Sequence, residues 1–230
     1  MRRSLILLSM ICLALASGTN GSVKKGDVEI EALGGWAMES GEGQGDDQSS
    51  ILEGATGGDL DGWFASAGIG WFTSKNFEIG IAGFGSSMDG SERITLVPNL
   101  AFPDVLAVYE LDVDAMVYGG GGRGKWHFFP NKTLVPYVGV QVFWATADVD
   151  LSGTADLLVE GEVDPDSHVE IDENESDSGI LWGPIVGLRV QLAEKLDALV
   201  EYQYHMWSGS IGDFLDNGHM ISAGLCLQLK

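Results

Sequence analysis

The sequence predicts an all-β protein: an eight-stranded antiparallel up-and-down transmembrane barrel preceded by a cleaved signal peptide. Three observations predict it. Apolar residues alternate with small or polar ones at period 2 in one stretch after another. The connections alternate in length, short after the second, fourth and sixth strands and long after the first, third, fifth and seventh. No mature stretch is apolar and long enough to form a membrane helix, so the greasy surface must be made of strand faces.

The 230-residue chain carries 34 Asp and Glu against 12 Lys and Arg, a formal charge of −22. This excludes nucleic acid as a partner, because no basic surface exists to replace phosphate counterions. Arg2 and Arg3 precede the apolar run Leu5 to Leu15, and Ala14-Leu15-Ala16 offers a small-x-small cleavage site. Residues 1–16 therefore read as a signal peptide and 17–230 as one barrel domain. Export leaves Cys226 as a lone thiol, so no disulfide framework is possible.

The first strand lies in Asp27 to Glu39, with Val28, Ile30, Ala32, Trp36 and Met38 on one parity and Glu29 and Glu31 on the other. A polar stretch, 40–59, follows. The second strand, Leu60 to Phe72, sets Trp63, Ala65, Ala67, Ile69 and Trp71 against Gly62, Ser66, Gly68 and Gly70. Thr73-Ser74-Lys75-Asn76 is a tight turn. Phe77, Ile79 and Ile81 continue the greasy face opposite Glu78. Ser86 to Leu111 reads as a long loop. The fourth strand, about Asp112 to Phe129, holds four consecutive glycines, Gly119 to Gly122, which suggest a bulge or a crowded lumen. It ends with Trp126 and Phe128 opposite Arg123, Lys125 and His127.

After the turn Pro130 to Thr133, the fifth strand places Val138, Val140, Val142 and Trp144 outward and Tyr137, Gly139 and Gln141 inward. Asp148 to Asp177 reads as the longest loop, with twelve Asp and Glu and no Lys or Arg. The sixth strand has Trp182, Val186, Leu188 and Val190 opposite Gly183, Gly187, Arg189 and Gln191. A turn at Ala193 to Leu196 leads to the seventh, with Val200, Tyr202, Tyr204 and Met206 opposite Glu201, Gln203 and His205. The eighth, Gly218 to Lys230, has Ile221, Ala223, Leu225, Leu227 and Leu229 opposite Ser222, Gly224 and Cys226.

An even strand number, short turns at one end and long loops at the other are the rhythm of bacterial outer-membrane barrels. The aromatics fit it. Trp71, Phe77, Trp126 and Phe128 lie beside the short turns; Trp36, Trp63, Trp144, Trp182 and Trp207 lie towards the long loops, as two interfacial girdles require. The eight residues from Trp63 to Trp71 span about 20 Å when tilted, close to the apolar band of such barrels. The alternative is a soluble periplasmic lipocalin-like ligand-binding barrel, in which the aliphatic parity would face inward.

Ser222-x-Gly224-x-x-Leu227-x-Leu229 resembles the C-terminal signal by which outer-membrane barrels reach their assembly machinery, with Leu229 where that family usually has an aromatic. Together with the turn rhythm and the Gly119 to Phe129 stretch, it makes the mature chain similar to the small outer-membrane barrels of the OmpA, OmpX and OmpW type. The resemblance implies a bacterial outer-membrane location and, as partners, outer-membrane lipid and the assembly machinery. The pattern is shared by many functions; the expected role is structural or surface interaction, with no catalysis and no cofactor.

An eight-stranded barrel is just wide enough for side chains to fill it. The inward parity supplies Glu29, Glu31, Glu78, Arg123, Lys125, Arg189 and Glu201, expected to form a lumenal charge network because an unpaired buried charge is costly. The spacing about the Ala193 to Leu196 turn predicts an Arg189–Glu201 bridge, with Arg123 and Lys125 sharing Glu78 or Glu31. Switching partners could open a narrow gated conduit. Two further readings are carried. His205 and Ser208 resemble the His/Ser pair of PagL-type lipid hydrolases, although an offset of three puts them on opposite strand faces. The acidic loop 148–177 could hold divalent cations such as Ca²⁺ and should be mobile and cut by protease.

Overall fold

A computed structural model of the protein describes residues 24–39, 60–96, 105–159, 162–163, 167–209 and 217–229. The signal-peptide segment and residues 160–161 and 164–166 of the acidic stretch lie outside the described residues. The strands are β1 (Val28–Glu39), β2 (Leu60–Phe72), β3 (Phe77–Leu96), β4 (Val105–His127), β5 (Leu134–Val159), β6 (Glu162–Val163), β7 (Val169–Gln191), β8 (Leu196–Ser208) and β9 (Gly218–Leu229). β6 only folds back on the end of β5. The other eight form a ring in the order β4-β3-β2-β1-β9-β8-β7-β5, closed by pairing of β4 with β5. Every pairing is antiparallel.

The register fixes the barrel's shape. From Leu33, the row of directly paired residues runs through Ser66, Phe84 and Gly119 to Ala145 on β5. In the other direction it runs through Gly224, Leu199 and Arg189 to Val135 on the same strand. The two arrivals differ by ten residues, the stagger that closes eight strands at a tilt of roughly 40°.

Parity decides what faces lipid. In β2 the burial alternates without a break. Trp63, Trp71, Ile69, Ile81, Val140, Val142, Val186, Ile221 and Leu225 are exposed, while Glu29, Glu31, Glu78, Lys125 and Glu201 are buried. This overturns the lipocalin-like alternative: the aliphatic side chains point away from the lumen. The girdle positions Trp36, Trp63, Trp144 and Trp182 above, and Trp71, Phe77, Trp126 and Phe128 below, are all exposed. Trp207 departs from the expectation by packing against the interior cluster. On β8 and β9 its place at the interface is taken by Tyr204, stacked on His219 at 5.1 Å, with the Tyr202 hydroxyl 2.6 Å from His219 Nδ1. Because Leu225 faces lipid near mid-membrane, Leu225→Arg should lower stability in vesicles by about 2–4 kcal/mol. Equilibrium unfolding in urea would show it, and a Leu225→Cys thiol labelled faster than a Ser222→Cys thiol by an aqueous reagent would invert the facing.

Two expected loops are largely strand. β3 and β4 stay paired from Phe77↔Trp126 to Leu96↔Ala107, and β5 and β7 from Leu134↔Val190 to Ala155↔Val169. Among the described residues, the acidic segment 148–177 is therefore mostly a paired ladder rather than a loop. Its Asp148 accepts from the Ser176 hydroxyl at 2.5 Å, and Asp150 accepts from the Asn174 amide. Above the girdle the inward parity turns apolar, with Leu111, Val113, Ala115, Val149 and Leu151 all buried. The outward parity turns acidic there, with Asp112, Asp114 and Asp150 exposed. Below, the barrel is polar inside and apolar outside; above, this is reversed. The ladder also runs unbroken through Gly119 to Gly122, so no bulge occurs.

Candidate functional site: the filled lumen

The lumen is built in layers from inward residues of all eight staves. At the short-turn end, Arg189 on β7 donates from Nη1 to Glu29 Oε2 at 2.7 Å and from Nε to Asp197 Oδ2 at 2.6 Å. Gln228 donates to the same Asp197 oxygen at 2.8 Å. His127 Nε2 lies 2.8 Å from Glu78 Oε2, its ring between Phe72 and Tyr137, each 5.2 Å away between centroids. The arginine also sits over Phe72, 5.7 Å from its centroid.

The next layer centres on Lys125. Its ammonium donates to Glu31 Oε2 and to Glu201 Oε1, both at 2.7 Å. Arg123 donates to the other Glu31 oxygen. Tyr137 and Gln203 complete Glu201 at 2.8 and 2.9 Å, and Gln141 donates to Gln203 at 2.9 Å. All these side chains are buried. Glycines on adjacent staves make the room. A Cβ at Gly187 would run into the Tyr137 ring, and one at Gly70 into the Glu78 carboxylate.

Over this lies an apolar layer, with Phe84 stacked on Phe64 at 6.2 Å and on Phe143 at 5.4 Å, beside Leu181 and Met220. His205 is fully buried there, edge-on to Trp207 at 6.1 Å.

All seven predicted network residues fall in the lumen, but one pairing differs. Arg189 and Glu201 do not bridge. Register puts Arg189 opposite Leu199 and Glu201 opposite Gly187, so the two are diagonal neighbours. Asp197 is the other diagonal neighbour of Arg189, and Glu201 is drawn across the lumen by Lys125. Asp197 was missed although it shares the parity of Glu201; its place beside a turn disguised it. Arg123 and Lys125 share Glu31 rather than Glu78.

Oxygens of Glu29, Glu31 and Glu78 lie within 4.8 Å of one another, a spacing that admits a cation. Each carboxylate already has a protein partner, in Arg189, in Arg123 with Lys125, and in His127. The hydrolase pair does not assemble. His205 is inside the lumen, whereas Ser208 is exposed and donates to the Ile180 carbonyl at 3.3 Å. In the C-terminal signal, Ser222 is buried, while Leu227 and Leu229 are exposed on the lipid-facing side of the strand that closes onto β1.

The fold resembles several solved outer-membrane proteins at low identity. Neisserial surface protein A is 13% identical, with a TM-score of 0.48 over 89% of this chain and 100% of that one. Ail, the attachment invasion locus protein of Yersinia pestis, is 11% identical, with a TM-score of 0.44 over 89% and 99%. The outer membrane protein OprG from Pseudomonas aeruginosa is 11% identical, with a TM-score of 0.41 over 92% and 99%. A search of curated proteins found no sequence match. The family model of the outer membrane protein beta-barrel domain matches residues 5–228, nearly the whole chain. The chain belongs to the outer membrane protein beta-barrel domain family, and its place is the bacterial outer membrane.

Proposed function

We propose that the protein is a closed barrel whose lumen is a structural plug and whose work is done on the outside, by the acidic four-strand extension of β3, β4, β5 and β7. The observation that carries this reading is the filling of the lumen. Two charged layers and an aromatic layer cross it, and the void at its lower mouth, between His127, Arg189, Asp197 and Gln228, is ≈ 10 Å³, about the space of one water. A surface role is supported by the extension itself. It has its own apolar interior and a charged exterior, the arrangement of a soluble domain raised above the membrane. Outer-membrane lipid and the barrel assembly machinery are its proposed partners, the latter through the last strand.

Planar-bilayer recording tests the closed lumen. The wild-type protein should insert without discrete conductance steps. A second reading, the narrow gated conduit, is favoured by one observation: Lys125 holds two carboxylates at once and can exchange them. Regular ion-conducting steps in the wild-type protein, altered in Lys125→Met, would replace the plug with the conduit.

A further inference from the structure

One half of the lipid-facing wall is unlike the other. On β5, β7, β8 and β9 the mid-membrane residues are bulky and exposed, among them Val140, Val186, Tyr202 and Leu225. On β2, β3 and β4 the same band holds Ala65, Ala67, Gly83, Gly85, Gly120 and Gly122. They leave a recess of ≈ 510 Å³, floored by Ala67 and Gly83 and walled by Ile30, Ile69 and Ile81. Internal packing does not require a glycine at 83, 85 or 122, although a Cβ at Gly120 would press on the Ala82 carbonyl at 3.2 Å. A Cβ at Gly85 would meet no atom within 4 Å, and one at Gly83 only the Gly119 carbonyl at 3.5 Å. Gly119 and Gly121, on the inward parity, have no such room.

The recess continues upward. The outward residues of β3 above Ile81 are Gly83, Gly85, Ser87 and then Asp89, so the track leads past the girdle to a carboxylate. Asp89 stands directly opposite Asp61 on one side and Asp114 on the other, and Asp114 opposite Asp150. Four aspartates thus lie side by side in one row on the outer face. Asp61 is the next outward residue above the girdle residue Trp63. Adjacent strands are about 4.8 Å apart, and like charges directly opposite are destabilising. A second recess, over Asp61, Asp89, Asp112 and Asp114, opens along this row.

We propose that this strip is a lipid-binding site, taking the acyl chain of an outer-leaflet lipid in the groove and its amine-bearing headgroup on the aspartate row. Charge complementarity chooses the occupant: a bare phosphate headgroup would be repelled, whereas a terminal ammonium can be shared between neighbouring carboxylates. Length agrees. From Ile81 to Asp89 is eight residues, about 20 Å along the membrane normal at the barrel's tilt, the reach of a single long acyl chain.

The test uses the folded protein in nanodiscs of equimolar phosphatidylethanolamine and phosphatidylglycerol, extracted into mild detergent with EDTA, with retained lipid counted by native mass spectrometry. Wild-type protein should retain the ethanolamine lipid several-fold over the glycerol lipid. Gly83→Leu/Gly85→Leu, which fills the groove without an internal clash, should retain little of either. Asp89→Asn/Asp114→Asn should retain lipid with no headgroup preference. Heat-modifiable gel mobility shows that each variant has folded. Absence of a preference in the wild type, or full retention by the leucine variant, would overturn the site. A preference for phosphatidylglycerol when Ca²⁺ replaces EDTA in a parallel extraction would also overturn it, and would give the row to a divalent cation.

Discussion

Lys125→Met should destabilise the barrel by about 3–5 kcal/mol in urea unfolding from lipid vesicles, the cost of leaving buried carboxylates without their cation. Lys125 is 1% exposed and is the only residue bonded to both Glu31 and Glu201 among the described residues. Arg123 still holds Glu31 after the change, so the larger part of the loss falls on Glu201. Lys125→Met/Glu201→Gln should therefore lose less than the lysine change alone, and the cycle should show a coupling of about 0.5–3 kcal/mol. The Arg189–Asp197 cycle should be coupled to a similar degree. The Arg189–Glu201 cycle should be close to additive, since those two side chains hold different partners. Strong Arg189–Glu201 coupling with an additive Lys125–Glu201 pair would show that the charges are arranged otherwise.

That comparison also shows what the sequence could convey. Parity assigned each charged side chain to the lumen, because a strand offers only two faces and the other is occupied by Trp, Ile and Val. The short turns at Thr73 to Asn76 and Ala193 to Leu196 then made neighbouring strands legible. Partners were not legible. Glu201 meets Lys125, 76 residues away, across the lumen, and that contact depends on a ten-residue stagger measurable only once the ring is closed. The strand ends were missed for a different reason. Above the membrane, the alternation in Leu111 to Ala115 and Asp148 to Leu151 persists, but its chemistry changes sides. Read against a lipid-facing template, Asp112, Asp114, Asp148 and Asp150 look like a polar loop. They are the water-facing parity of strands whose apolar residues have turned inward.

This inversion makes the extension a small hydrophobic core set above a polar one, and the two should fail separately. Leu111→Ala should cost about 2–5 kcal/mol, the range for emptying a buried leucine site. Leu111 is 1% exposed, lies opposite Gly153, and belongs to the interior cluster with Val113, Val149 and Leu151, which Tyr109 and Ile171 pack against. The loss should be local. β1, β2, β8 and β9 are only 12 or 13 residues long and stop near the upper girdle. Among the described residues, only the longer strands reach the height of Leu111, and the ring that encloses Lys125 is not part of that unit. Hydrogen exchange should therefore speed up by orders of magnitude at the amides of 107–115 and 149–155, with little change at 121–127 and 137–143. Asp112→Ala, one residue away but facing water, should move stability by no more than about 0.5 kcal/mol. Equal loss of protection above and below the girdle in Leu111→Ala would mean that extension and barrel unfold as one unit. Unchanged protection in both would mean that the segment owes its order to backbone pairing alone, without the apolar interior that the inward parity provides.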